Sequence, residues 1–277
     1  MTRIAHLSDL HCPVLDPAQT EILQHAVNSA APDVIVITGD VTRAGRRKEF
    51  AAAQAFAARL AAPVIAVPGN HDVPVFDPGA RTFGPFSRFS AVFPGNVYRD
   101  NTLVIAGFNT ARALSLSWNW SLGHIDRASL DAALHACAKT PPSCLRILAS
   151  HHPLLRDPYD PARSYTRGGR SALTKMARSG VCAVLHGHLH AARVREFVTG
   201  SRIVLSIGAG TPLSDRERGG GSSFNLIEVE HDHLRISEMR WTGSGYPSHT
   251  LGQFALHREQ ASDGCVSSER ETGSKSR

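Results

Sequence analysis

The 277 residues suffice for one large α/β domain or two small ones, and 42% hydrophobic with 19% charged residues is a globular composition that excludes a fibrous or wholly disordered chain. A formal charge of +6 and a sequence pI near 9.4 favour anionic partners without naming one. The five cysteines are irregularly spaced with no CxxC, which argues against a zinc knuckle or a disulfide framework, and no apolar run reaches membrane-spanning or signal-peptide length, so a soluble cytoplasmic protein is expected.

The first strand is predicted over residues 3–8 and ends in Ser8-Asp9-Leu10-His11. Helical spacing over 19–30 leads to Asp33-Val34-Ile35-Val36-Ile37-Thr38, a run expected to be covered on both faces, which ends in Gly39-Asp40. An Ala-rich helix over 47–61 precedes the strand 64–67, which ends in Gly69-Asn70-His71-Asp72. Strand and helix alternating at this spacing imply βαβ units and a largely parallel sheet.

Prolines and glycines interrupt residues 73–101, which read as a cap over a site or as a connecting loop. Order returns with a strand at 102–108 and a helix at 126–138. The strand 145–149 then ends in Ser150-His151-His152-Pro153. A polar rim segment, 154–170, precedes a helix at 171–179 and the strand 181–185, which ends in His186-Gly187-His188-Leu189-His190. Strands near 192–198, 202–207, 223–229 and 233–241 with hairpin-like turns suggest a second sheet. The expected domain is a single one, 1–257, followed by a disordered tail, 258–277, that is almost devoid of apolar residues.

Five strand ends thus supply Asp9 and His11, Asp40, Asn70-His71-Asp72, His151, and His188 with His190. In extended chain, residues i and i+2 face the same side, so each D-x-H or H-x-H pair can turn toward one site. Carboxylate, amide and imidazole donors in this number are what two divalent cations about 3.5–4 Å apart require, with Asp40 the natural bridge. Mixed nitrogen and oxygen donors suit Mn, Fe, Zn or Co.

The ordered blocks D-x-H, G-D, G-N-H-[DE], an H two residues before P, and G-H-x-H resemble those of the calcineurin-like metallophosphoesterase superfamily. The resemblance covers roughly residues 4–240 and is greatest to the bacterial class III cyclic nucleotide phosphodiesterases and glycerophosphodiesterase-type enzymes. It implies a four-layer α/β/β/α sandwich of two mixed sheets flanked by helices. It also implies that Asp9, His11 and His190 hold one of two divalent or mixed-valence ions and Asn70, His151 and His188 the other, with Asp40 between them. His71 would not be a ligand but would face the phosphate and protonate the leaving oxygen, with Asp72 holding its ring. The nucleophile would be a metal-bound water or hydroxide. At the position where purple acid phosphatases place a Tyr, this chain has Arg43, and class III enzymes often have an acidic or amide residue there. Gly39-Asp40-Val41-Thr42-Arg43-Ala44-Gly45 likewise departs from the protein Ser/Thr phosphatase block.

The expected activity is hydrolysis of a small phosphodiester, a cyclic nucleotide first among candidates. A phosphomonoesterase or nuclease of the same superfamily and a non-catalytic metal-binding docking scaffold are the alternatives, and oligomeric state, a homodimer included, stays open. His152 and Arg43 are candidate substrate contacts. His6, His124 and His186 read as structural, Arg46 and Arg47 as a solvated helix face, and Trp118 with Trp120 as core or as a base-stacking pair. Membrane association is not expected, and nucleic acid is disfavoured because no aromatic-interleaved basic stripe is evident.

Overall fold

The computed structural model describes residues 1–13, 16–113, 121–213, 221–230 and 233–256. In chain order these form β1 (Thr2–Leu7), α1 (Pro17–Ser29), β2 (Val34–Thr38), α2 (Arg47–Ala57), β3 (Val64–Val67), α3 (Pro78–Phe83), α4 (Ser87–Val92), β4 (Val97–Arg99) and β5 (Leu103–Gly107). They continue as β6 (Gly123–His124), α5 (Arg127–Ala138), β7 (Leu145–Ala149), β8 (Thr166–Arg167), α6 (Gly169–Arg178) and β9 (Val181–His186). The last strands are β10 (Arg193–Thr199), β11 (Arg202–Gly208), β12 (Ser223–Val229), β13 (His233–Arg240) and β14 (Ser248–Ala255).

Two six-stranded mixed sheets result, ordered β14-β13-β12-β1-β2-β3 and β10-β11-β9-β7-β5-β4, with a two-stranded parallel pair β6-β8 beside them. Period-two alternation explains the layering. In β2, Ile35 and Ile37 face α1 and α2, where Leu23, Val27, Phe50 and Phe56 cover them, while Val34 and Val36 face the second sheet and meet Ile105, Ile147 and Leu185. The second sheet turns Val104, Leu148 and Val184 to its own helices, against Leu130 and Leu134 of α5 and Leu173 and Met176 of α6. Three apolar layers between four structural layers make the α/β/β/α sandwich that the sequence predicts.

The helices begin where their chemistry says they should. Asp16 accepts hydrogen bonds from the amides of Ala18 and Gln19 ahead of Pro17, and Asp126 accepts one from Ser129, so both caps satisfy amides that the first turn leaves unpaired.

Two expectations change. The strands after 192 do not form a sheet of their own. β10 and β11 extend the β9 edge, whereas β12 pairs antiparallel with β1 (Ala5 opposite Leu226) and carries β13 and β14 into the first sheet. β9 and β1 each present a backbone hydrogen-bonding edge on that side, and hairpin signals do not say which edge a hairpin joins. Residues 73–101 are more than a connecting loop: α4 lays Phe89 and Phe93 into the cluster under α2, and β4 closes the edge of the second sheet. The predicted tail 258–277, Trp118 and Trp120 lie outside the described residues.

Candidate metal centre

All five predicted segments meet at the carboxyl ends of the parallel strands of both sheets, the edge where open α/β sheets bind ligands. The loops continue the strand ladder for a few residues. Asp9 donates its amide to the Gly39 carbonyl, His11 to Asp40, and Gly187 to His151. Asp9, His11, Asp40, Asn70, His151, His188 and His190 are all buried, at 4% exposure or less. That depth is costly for so many polar groups unless something satisfies them.

The expected i, i+2 geometry does not occur. Asp9, His11, Asp40, His188 and His190 all have positive φ, between 50° and 70°, and Ala31 is the only other described non-glycine residue that does. L-residues pay for this left-handed conformation with Cβ crowding, so its concentration on five candidate ligands marks a site whose surroundings hold the backbone in place. Convergence comes from left-handed turns rather than from extended chain, and spacing alone cannot reveal it.

Three neighbouring donor sets emerge. Asp9, His11 and His190 form the first, with Asp9 Oδ1 3.2 Å from His190 Nε2 and 3.9 Å from His11 Nε2. His151 and His188 form the second: His151 Nε2 lies 3.2 Å from Asn70 Oδ1 and 3.3 Å from His188 Nδ1. Asp9, Asp40 and His151 join the two, with Asp40 Oδ2 3.4 Å from His151 Nε2. Among the described residues Asp9 Oδ1, His11 Nε2 and His188 Nε2 are buried with no hydrogen-bond partner. Unpaired lone pairs in a buried cluster of carboxylate and imidazole are what a cation would complete, so the residues fit a metal centre.

The imidazoles are set by one loop. His151 Nδ1 donates to the Thr38 carbonyl at 2.8 Å, His11 Nδ1 to Thr42 at 3.3 Å, and His71 Nδ1 to Arg43 at 2.8 Å. Each bond leaves Nε2 directed away from the backbone, the tautomer a ligand or proton carrier needs. Burial would raise the Asp40 carboxyl, but His151 and its hydrogen bond hold it well below the usual range; burial would lower His151, but Asp40 beside it raises the ring to about 9. For His11, burial outweighs Asp40 and Asp9 and pushes the ring down to about 4, and His188 is pushed down by burial and then by His152 and His151.

Glycines permit this closeness. A Cβ on Gly187 would lie 1.7 Å from Ser8 Oγ and 2.5 Å from Asp9 Oδ2, and one on Gly69 would lie 2.1 Å from Asp40 Oδ1. Ser8 donates to Asp9 Oδ2 at 2.6 Å, and the His188 amide donates to the same oxygen at 2.9 Å, leaving Oδ1 for the centre.

His71 is half-buried, unlike the candidate ligands around it, and its ring stands edge-on to His11 at 5.1 Å. Arg43 lies beside it, half-buried, donating from Nε to the His11 carbonyl at 2.9 Å. Two predicted roles change. Asp72 does not hold the His71 ring. It accepts hydrogen bonds from the Gly69 and Thr42 amides and the Thr42 hydroxyl at 2.8–2.9 Å, and so ties the Asn70 loop to the Asp40 loop. Burial and the Asp40 charge push its carboxyl up to about 7 against those donors. A carboxylate next in sequence to a histidine in a 3-10 turn points elsewhere, and here the Arg43 carbonyl takes the ring proton instead.

His152 is not offered to substrate. It is 1% exposed, donates from Nε2 to the Ser121 carbonyl at 3.1 Å, and shares a 2.9 Å hydrogen bond at Nδ1 with the Thr110 hydroxyl. Its ring nitrogens lie near those of His151 and His188, yet both are taken, so it supports the His188 ring 4.6 Å away rather than a cation. Burial and His151 push it down to about 3, which keeps it neutral.

Ser8, Thr42 and Thr110 were not singled out from sequence. Ser8 and Thr42 adjoin the D-x-H and G-D blocks, which is a usable signal; Thr110 meets His152 across 42 residues and has none.

The fold and this donor set define a metallophosphoesterase. The chain belongs to the calcineurin-like phosphoesterase family, a family of metal-dependent hydrolases, whose pattern matches residues 2–192. It is 28% identical over 276 residues to the cAMP/cGMP dual specificity phosphodiesterase of Mycobacterium tuberculosis, covering 91% of this chain and 82% of that protein. It is 28% identical over 254 residues to the "Probable cyclic nucleotide phosphodiesterase" of Rhodococcus erythropolis, covering 82% and 79%. In fold it is similar to a dimetal phosphatase from Danio rerio (TM-score 0.59, 12% identity, 93% of this chain and 99% of that one). It is similar also to a purple acid phosphatase from yellow lupin seeds (TM-score 0.58, 11% identity, 91% of this chain), of which it spans about half, 53%.

Proposed function

We propose that the protein hydrolyses a small phosphodiester, with cyclic nucleotides the first candidates, at a two-metal centre. The observation that carries this reading is the convergence of seven buried donors around unpaired lone pairs, with one half-buried imidazole, His71, beside them. The names of the two curated relatives support the cyclic-nucleotide part.

In this reading Asp9, His11 and His190 would hold one ion and Asn70, His151 and His188 the other, with Asp40 placed beside both groups. Bound ions of the Mn, Fe, Zn or Co type would supply Lewis acidity for the phosphoryl oxygens and lower the pKa of water. The chain supplies the rest. Asp40 offers Oδ2 to the centre while its Oδ1 accepts the His71 amide at 2.8 Å, which couples the position of the proton carrier to that of the bridge. His71, with Nδ1–H on the Arg43 carbonyl, presents Nε2 to the departing ester oxygen; in its doubly protonated form it gives the Nε2 proton to that oxygen and is left as the neutral Nδ1–H ring. Asp72 and Thr42 keep the two loops in register. The depth of the centre excludes bulk water and strengthens these interactions.

The test is turnover of bis-p-nitrophenyl phosphate against p-nitrophenyl phosphate by Mn-loaded protein, followed by cyclic AMP and cyclic GMP. Faster diester turnover supports the reading, faster monoester turnover makes the protein a phosphatase, and no turnover with ions bound makes it a docking scaffold. Among the described residues no helix is long and apolar enough to cross a membrane.

A further inference from the structure

One residue layer from His152, three arginines surround a depression that the metal centre does not use. Arg112 follows the end of β5, Arg127 opens α5, and Arg167 ends β8; with Phe86, His124 and Asp126 they line one concavity. The fold assembles them deliberately. β6 and β8 pair in parallel, which sets His124 opposite Arg167, and the His124 amide donates to the Thr110 carbonyl at 2.9 Å, which brings it to the residue after Asn109 on the Arg112 loop.

These charges are unbalanced. Among the described residues none of the three guanidinium groups has a hydrogen bond or ion pair, whereas Arg88, Arg163 and Arg193 elsewhere each pair with an aspartate. Asp126 is the one acidic side chain lining the concavity, and its Oδ1 is committed to the Ser129 amide. His124 Nδ1 is buried without a partner. Burial and then the three arginines push the His124 ring below its usual range, as expected where positive charge crowds a histidine.

We propose that this depression binds a phosphate group. Guanidinium forks match phosphate oxygens in pairs, and three of them, Arg112 half-buried with Arg127 and Arg167 exposed, surround one concavity that also holds an orphaned imidazole nitrogen. The phosphate is either a second one on the substrate, distant from the reacting ester, or that of a separate small anion. Either would communicate with the metal centre by a short path: Thr110 joins His124 to His152, a Cβ on Gly123 would lie 2.6 Å from that of His152, and the His152 ring packs against His188.

Titration calorimetry of the metal-loaded full chain with inorganic phosphate tests the site without assuming any activity. Wild type is expected to bind at two places. A chelator abolishes one, and the Arg112→Gln/Arg167→Gln double variant weakens the other by about tenfold or more. Lys48→Gln, an exposed charge on α2, controls for bulk charge and leaves both. Unchanged binding in the double variant, or an equal loss in Lys48→Gln, overturns the proposal, provided thermal melting shows both variants folded.

Two kinetic arms identify the source, and these rest on the phosphodiesterase reading. If the substrate carries the phosphate, the double variant keeps its turnover of bis-p-nitrophenyl phosphate and loses about tenfold in kcat/KM on a diester bearing a second phosphate. If a separate anion binds, added phosphate alters turnover of the plain diester in wild type and not in the variant. Absence of all turnover defeats the phosphodiesterase reading alone, since calorimetry still decides the site.

Discussion

The two sheets contribute unequally to the centre. Loops after β1, β2 and β3 supply every oxygen donor, Asp9, Asp40 and Asn70, with His11 beside them, whereas loops after β7 and β9 supply imidazoles alone: His151, His188 and His190. Neither half is a metal site. The first gathers negative charge that its own sheet does not neutralise, and the second gathers imidazole rings with no carboxylate to bridge them. The contact that joins them is between sheets, where Gly187 passes against Ser8 and Asp9 and the His188 amide donates to Asp9. Packing the sheets face to face therefore builds the core and the site in one event, and the left-handed backbone at five donors is sustained by that packing.

The largest test of this division is Asp40→Asn, which removes the charge that the second sheet's His151 faces while keeping the shape. Turnover is expected to fall by about 10³-fold, with loss of bound metal by elemental analysis. A variant with full metal content and full activity would remove Asp40 from the centre. His71→Gln should lower turnover by about 10²–10³-fold, yet leave metal content at the wild-type value, because its Nδ1 is bound to the Arg43 carbonyl and the ring packs edge-on against His11 without joining a donor set.

Gly187→Ala deletes no chemistry and attacks the junction alone. Its Cβ cannot occupy the space of Ser8 Oγ, so metal affinity should drop and thermal unfolding should report a destabilisation of about 1–3 kcal/mol; wild-type metal binding in this variant would mean that the sheets are not held together there. Thr110→Val tests the support behind the second half. It frees His152 Nδ1 and should weaken metal binding by about tenfold with the fold intact.

The last test is a pH effect, small for each unit of pH. His151 is raised to about 9 by Asp40 in the metal-free protein, so below that pH it carries a proton that must leave before Nε2 can ligate. Metal affinity should accordingly fall by up to about tenfold for each pH unit below 9, measured by chelator competition. A flat profile between pH 6 and 9 would show that the ion displaces no proton from His151.

The amino-acid sequence by itself determined the layers and the roster of donors. β-branched runs such as Val34–Thr38 must be covered on both faces, and the polar blocks that end those runs fall at one edge because parallel strands share a direction. What the tertiary structure decided was the division of labour. His151 and His152 are adjacent and equally buried, yet one faces Asp40 and the other is taken by Thr110 and Ser121, partners set by packing and not by spacing. Asp72 adjoins His71 but binds Thr42, because a tight turn separates the directions of neighbouring side chains. The C-terminal strands divide between the sheets, and Arg112 and Arg167 come to one depression, because β12 and β8 chose partners far away in the chain. Local sequence dictates which residues end a strand; only the packed sheets dictate what those residues touch.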